Sequence, residues 1–223
     1  MIPGKKYGNY IIDKELGKGS YGEVGRAYME QQDGTKQYYA IKQIAKERLL
    51  KSLKLQELFA SELSIMKRLN HKNLLHCYEN LQTSNNYYLI LNYCNNGDLK
   101  SYLINNGSLP EDEAVHFLKQ IMNGFKVLVE HKIMHRDIKL ANLFLNDNTV
   151  VIGDFGFAKE HVSQTDTNLG TPYTKAPEIQ FKENPGDKYT NKADLWSIGV
   201  CFYEMLYNVI PWDPMGKLYY FKQ

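Results

Sequence analysis

The sequence predicts an α+β chain in two lobes: a small antiparallel β lobe with one key helix, then a larger, mainly helical lobe. Three observations carry this. The runs EVGRAYME and KQYYAIKQI are strand-like and separated by the turn QQDGT, so they form a hairpin. Residues 52–69 put Leu55, Leu58, Phe59, Met66 and Leu69 on one helical stripe. After a buried strand at 87–94, YYLILNYC, the pattern becomes helical and stays so.

The elements follow in order. LGKGSYGEV at 16–24 has a G-x-G-x-x-G spacing, which cradles phosphate either at a helix N-terminus in a βαβ unit or as a flap between strands over ATP. The hairpin after Gly22 favours the flap. In the helix that follows, Glu62 lies in the middle of the apolar stripe, and a carboxylate there needs a partner. NNGDL is a turn suited to a hinge, so the first lobe is expected at 1–91, the hinge at 92–97 and the second lobe at 98–223. Ser108 and Glu111 form a capping box with Pro110 in the first turn, opening a helix whose Val115, Leu118, Ile121, Met122, Phe125 and Leu128 face a core. LWSIGVCFYEMLY, from Leu195, is interrupted by Glu204 and too short to span a bilayer, which predicts a helix buried on nearly every side.

Composition excludes more than it selects. Lys+Arg 27 against Asp+Glu 25 gives a formal charge of +2, so bulk electrostatics favours neither nucleic acid nor a membrane surface as partner. Cys77, Cys94 and Cys201 are odd in number and form no C-x-x-C, and MIPGKKYGNY lacks a signal-peptide apolar run, so a cytoplasmic setting is expected. No repeat and no transmembrane segment is read.

The chemistry concentrates in IMHRDIKLANLFL, where His135, Arg136, Asp137, Lys139 and Asn142 sit between apolar runs, and in VVIGDFGFAK just after it. Polar groups packed among strand formers are costly without work or partners. His131 and His135, four apart, could be paired ligands on a helix face, but no H-E-x-x-H accompanies them. Together with LGKGSYGEV, YAIK, and TKAPE at 174–178, these stretches match the protein-kinase signature set in order and approximate spacing. The chain thus resembles eukaryotic protein kinases from the glycine loop to about Trp212, which implies a bilobal protein-kinase-like fold, ATP as cosubstrate, Mg2+, and protein substrates.

Phosphoryl transfer demands alignment and charge neutralisation more than covalent catalysis. The resemblance implies that Gly17, Gly19 and Gly22 let backbone approach the phosphates, that Lys42 binds the α and β phosphates, and that Glu62 positions Lys42. It implies Asp137 as catalytic base, Lys139 as the residue that steadies the γ-phosphate, and Asn142 and Asp154 as magnesium ligands. Apolar contacts to adenine would come from Leu16, Val24, Ala40 and Leu143, with Leu91 as gatekeeper and hinge hydrogen bonds from Asn92 to Cys94. Asp194 resembles a buried aspartate that supports the catalytic loop, although a first-turn helix Asp favoured by the macrodipole reads the same way. Arg136 would pair with a phosphate on the loop after Asp154, with Thr167 the best-placed acceptor and Thr165 next.

HRDIKLAN and the GT at 170–171 look like the serine/threonine pattern, and YCNNGDL, DFGFAK and KADLWSIGV are most similar to the autophagy-initiating, unc-51-like kinases. Leu140, where proline is common, is similar to polo-like kinases instead. Thr174 stands where the family usually has tyrosine and Lys175 where an apolar residue is common, so substrate docking is expected to differ. Regulatory protein partners are expected as well. A catalytically silent scaffold is the alternative from another class; it would be expected to lose Lys42, Asp137 or Asp154, and this chain keeps all three. The family continues past the point matched by Gln223, so the expectation is that Glu178 lacks its usual arginine, that the usual last helices are missing, and that the chain is marginally stable, either as a fragment of a longer kinase or as one that needs a partner over that face.

Overall fold

The computed structural model describes residues 1–19, 22–160, 171–180 and 190–212. The chain folds into two compact units, the first made of Met1–Asn70 with Leu75–Cys94, the second of His71–Leu74 with the chain from Asn95 onward. The division therefore falls after Cys94, a little beyond the expected boundary at 91, and four residues of the earlier sequence belong to the later unit.

The first unit is a six-stranded antiparallel sheet. Its strands are β1 (Lys6–Tyr7), β2 (Tyr10–Gly19), β3 (Gly22–Glu30), β4 (Lys36–Ala45), β5 (Cys77–Gln82) and β6 (Asn86–Asn92), in the order β1-β2-β3-β4-β6-β5. Side chains alternate faces along β4, so Tyr39 and Ile41 join a core with Tyr10, Ile12, Ala27, Tyr88 and Ile90, while Ala40 and Lys42 take the other face. Register places Lys42 between Val24 and Leu89. A short helix, α1 (Lys46–Leu50), leads to α2 (Leu53–Arg68), whose buried residues are Glu62, Ile65 and Met66. Ile65 completes the apolar stripe.

The second unit is built on helices. α3 (Leu99–Asn106) starts at Asp98, whose side chain accepts the Ser101 backbone N–H at 2.9 Å, and ends at Gly107 with φ 82°. α4 (Glu111–Glu130) departs from expectation in two ways. Pro110 holds the N-cap position in an extended conformation and no side chain caps the helix, so Ser108 forms no capping box there. Glu111, Asp112 and Glu113 offset the positive helix end instead. The buried face is Ala114, Phe117, Ile121, Gly124, Phe125 and Leu128, whereas Met122 is exposed; small Ala114 and Gly124 count toward a core through close approach, which a hydrophobicity pattern underweights.

Short strands follow: β7 (Ile133–Met134), a hairpin of β8 (Leu143–Asn146) and β9 (Thr149–Ile152), and β10 (Lys159–Glu160) paired with β7. Then come α5 (Pro177–Gln180) and α6 (Lys192–Tyr207). α6 buries Ala193, Ser197, Ile198, Val200, Cys201 and Met205, but Leu195, Tyr203 and Tyr207 are exposed, so it is covered on one side and not on nearly every side as its composition predicts. No helix among the described residues is long and apolar enough to cross a membrane.

His71–Leu74 is fastened to the second unit by several bonds at once. Asn73, wholly buried, donates its side-chain N–H to Val150 O at 2.7 Å and accepts the Ile152 N–H on its backbone carbonyl at 2.9 Å. Gly124 makes the approach possible, because a Cβ there would lie 2.8 Å from that same carbonyl oxygen and 3.0 Å from Ile152 Cδ1. Gly124→Ala sets about 1 kcal/mol of gained helix propensity against about 1–3 kcal/mol of overpacking. The carbonyl it meets is pinned by Ile152, so the overpacking wins. Net destabilisation is expected in urea unfolding; stabilisation, the usual outcome at an open helical glycine, would show that the approach is not tight.

Candidate active site

In the first unit the carboxylate singled out by its apolar surroundings has its partner. Glu62 Oε1 accepts a hydrogen bond from Lys42 Nζ at 2.9 Å, with the two side chains only 10% and 19% exposed. Register on β4 and the 3.6-residue period of α2 set the two ends of this pair independently. Such a pair adds little net stability, but breaking it strands a mostly buried charge.

The glycines divide by cause. A Cβ on Gly22 would overlap the carbonyl oxygen of Gln43, so glycine is required there by the packing of β3 on β4. A Cβ on Gly17 would meet nothing within 4 Å among the described residues, so none of them asks for glycine at that position. Leu16 is exposed, Val24 half-buried, and Ala40 and Leu91 buried. Asn92 uses its side chain to accept the His76 N–H at 2.6 Å and to donate to Tyr78 Oη at 3.0 Å, which fixes the end of β6. Burial pushes the Cys94 thiol up to about 12, which makes it a poor nucleophile.

The second unit brings together most of the polar cluster. Asp137 is 3% exposed and its carboxylate is held on both oxygens. Oδ1 accepts the Thr171 backbone N–H at 2.9 Å and the Thr171 hydroxyl at 2.8 Å. Oδ2 accepts Lys139 Nζ at 2.8 Å and Asn142 Nδ2 at 3.1 Å, and Asn142 Nδ2 also donates to the Asp137 carbonyl at 2.8 Å. Lys139 Nζ reaches the Thr171 hydroxyl too, at 2.9 Å. Thr171 thus completes the arrangement. Its sequence signal is only its place in GT, which spacing alone does not link to Asp137.

Beneath this lies a second layer. Asp194, 1% exposed in the first turn of α6, accepts the His135 N–H on Oδ2 at 2.7 Å and the Arg136 N–H on Oδ1 at 2.8 Å. Of the two readings of Asp194, support of the loop is the one its hydrogen bonds carry. Burial pushes its carboxyl up, opposed by the pull of His135 and Arg136. His135, wholly buried, donates from Nε2 to Gly153 O at 2.9 Å and accepts the Asp137 N–H on Nδ1 at 3.3 Å, with its ring 5.3 Å from that of Phe155. Both ring nitrogens are committed to backbone, so His135 is no metal ligand. Arg136 Nε donates to Phe157 O at 2.6 Å. Arg136 at φ 67° and Asp154 at φ 60° hold left-handed backbone, which costs about 1–3 kcal/mol each and marks sites where the surroundings over-determine the chain.

Asp154 accepts the Gly156 N–H at 3.4 Å. Asn142, with its nitrogen spent on Asp137, leaves Oδ1 as the atom suited to a cation. No group of three or more His, Cys, Asp or Glu is poised for a metal among the described residues, and two oxygen donors suit magnesium that keeps waters and substrate phosphates in its remaining positions. Leu143 is wholly buried in β8 opposite Ile152. Thr174 is buried, with Ser197 Oγ donating to its carbonyl at 2.7 Å, and Glu178 is exposed. Burial pulls the Lys175 ammonium down, opposed by the charge of Asp137. Thr165 and Thr167 lie outside the described residues.

A family model described as the protein kinase domain matches residues 10–221. The chain is 40% identical over 212 residues to a serine/threonine-protein kinase atg1 of Dictyostelium discoideum, covering 91% of this chain and 31% of that protein. It is 38% identical over 224 residues to serine/threonine-protein kinase ATG1c of Arabidopsis thaliana, covering 98% and 29%, and 34% identical over 219 residues to ATG1a of the same plant, covering 96% and 34%. The chain spans about a third of the length of these curated relatives.

Asp194→Asn keeps the shape of the strut and replaces one acceptor by a donor facing a backbone N–H. Relief of a buried charge offsets part of the loss, and a net destabilisation of about 1–3 kcal/mol is expected. Thermal unfolding of the variant measures it; a change within a few tenths of a kcal/mol would show that the carboxylate does not hold the turn.

Proposed function

Because the chain belongs to the protein kinase domain family, we propose that it transfers the γ-phosphoryl group of ATP to serine and threonine hydroxyls of protein substrates. The observation that carries this is Asp137, whose carboxylate is fixed by Thr171, Lys139 and Asn142. In this reading Asp137 orients the substrate hydroxyl and takes its proton as the oxygen–phosphorus bond forms and the bond to the ADP oxygen breaks. Lys139, held 2.8 Å from Asp137, steadies the charge on the transferring group.

In the first unit Lys42, aligned by Glu62, binds the α and β phosphates, and Gly17, Gly19 and Gly22 allow backbone to approach them. Leu16, Val24 and Ala40 offer apolar surface to adenine, with backbone at Asn92 and Cys94 recognising its edge. In the second unit Leu143 is the apolar residue that the kinase resemblance assigns to adenine. Asn142 and Asp154 hold magnesium. When bound, that ion neutralises phosphate charge and fixes geometry.

The same reading makes the chain the catalytic part of a kinase of the autophagy-initiating kind, acting in the cytoplasm with regulatory protein partners. It also makes Thr167 a phosphorylation site whose phosphate pairs with Arg136.

Asp137→Asn is expected to lower turnover by about 10²–10⁴ while ATP affinity stays nearly unchanged. Measuring kcat and nucleotide binding on serine and threonine peptides tests it, and activity within a few-fold of the parent would remove the role. Separately, ATP should raise the melting temperature more with magnesium than without it. Equal shifts, or none, count against Asn142 and Asp154 as ligands. Thr167→Ala should lower the activity of phosphorylated enzyme; unchanged kinetics would take Thr167 out of regulation.

A further inference from the structure

Four segments of the first unit meet at one guanidinium. The register of β2 on β3 shifts between Ile12 and Lys14, which makes a bulge at Asp13. Arg26 of β3 takes Asp13 in a forked pair, with Nε at 3.0 and 3.1 Å from the two carboxylate oxygens and Nη2 at 2.8 Å from Oδ2. Its Cζ stands 4.9 Å from the ring centre of Tyr38 on β4 and 5.6 Å from that of Tyr93, the residue just past the end of β6. The two rings lie 6.3 Å apart. Hydrogen bonds to Asp13 and to Tyr93 push the guanidinium above its usual range, so it is always charged.

The side chains of Arg26 and Asp13 are 30% and 23% exposed, and an ion pair so open to water adds little stability. It fixes direction instead. The forked bonds set the plane of the guanidinium, and a planar cation stacks on aromatic faces as an ammonium does not. Tyr93 is the middle residue of Asn92–Cys94, whose backbone the kinase reading assigns to the edge of adenine. His76 and Tyr78 hold Asn92 from the side of β5, and Arg26 holds the next residue from β3. Arg26 also stands opposite Ala40, which in turn stands opposite Leu91. Directly opposed residues share a face, so the guanidinium rises from the same row and face of the sheet as the apolar surface read as the adenine contact.

We propose that Arg26 is a positioning residue for the nucleotide: braced on Asp13, it holds Tyr93 against β3 and β4 and so fixes the backbone that reads the base. The proposal rests on the kinase reading above and deepens it. In this scheme Arg26 touches neither the nucleotide nor the acceptor hydroxyl. Its loss leaves Lys42, Asp137, Asn142 and Asp154 in place, so recognition of the base weakens while the chemical step does not.

Steady-state kinetics of the intact kinase on a serine/threonine peptide, with ATP and with inosine triphosphate, test this. Inosine triphosphate carries the same ribose and phosphates, and its 6-oxo group and N1–H reverse donor and acceptor on the edge of the base. Arg26→Ala should raise KM for ATP roughly three- to ten-fold, the range of one cation–π contact. It should leave kcat unchanged and raise KM for inosine triphosphate less, so that the preference for ATP narrows. Arg26→Lys, which keeps the charge and loses the fork, should fall between parent and Arg26→Ala. Tyr93→Ala should raise the same KM, and the double variant should raise it no further than the larger single change. Should Arg26→Ala fail to fold, Asp13→Asn, which weakens the brace and keeps its shape, should move KM and preference in the same direction. Equal use of the two nucleotides by the parent, equal loss on both in the variants, an unchanged KM, or a fall in kcat alone overturns the proposal. A parent that phosphorylates no peptide with ATP overturns the kinase reading itself, and the proposal falls with it.

Discussion

One buried carboxylate holds the turn that leads into Asp137. Asp194 accepts the peptide N–H groups of His135 and Arg136, residues 59 and 58 positions earlier, and so ties the start of α6 to a loop that forms little regular structure of its own. From those two bonds the rest is suspended. His135 passes the constraint to Gly153 through its ring, and Arg136 passes it to Phe157. The left-handed backbone at Arg136 and Asp154 is sustained because each flanking segment is already fixed. Desolvating Asp194 is unfavourable, and two charge-assisted hydrogen bonds offset it. The gain is geometrical.

The polar interior repeats this logic. Lys42 with Glu62, Lys139 with Asp137 and Lys100 with Glu204 each join a shielded acid to a more exposed base. Pairs of this kind contribute little net stability, since desolvation cancels much of the attraction, yet removing one partner is strongly unfavourable. They are therefore better understood as fixing where charges stand than as holding the units together. The apolar clusters do the latter work, with Ile41, Leu89 and Ile90 in the first unit and Ile121, Ile152 and Phe155 in the second.

Much of this was legible in the residues. The strand hairpin and the two long helices followed from periodicity, and the need of Glu62 for a partner followed from its apolar surroundings. What escaped was whatever depends on close approach or on backbone. Ser108 looked like a cap, but the extended Pro110 moved the helix start past it. Met122 looked like core, while Gly124, which no hydrophobic pattern marks, lies against Asn73. Thr171 and Asn73 bond to partners 34 and 77 residues away, a separation at which neither period nor propensity carries information. Gly22 was read through phosphate, and its packing on Gln43 is invisible without the sheet.

The capture of His71–Leu74 by the second unit alters how the chain can be assembled. The polypeptide enters that unit for four residues, returns to finish the sheet with β5 and β6, and leaves again after Cys94. During synthesis those four residues emerge well before α4 and β9, the elements that will receive Asn73. The first sheet can pair all its strands while this segment has nowhere to go, so its docking is a late event that waits for some eighty further residues. Neither unit is a contiguous stretch of sequence, and no single cut of the chain yields either one intact.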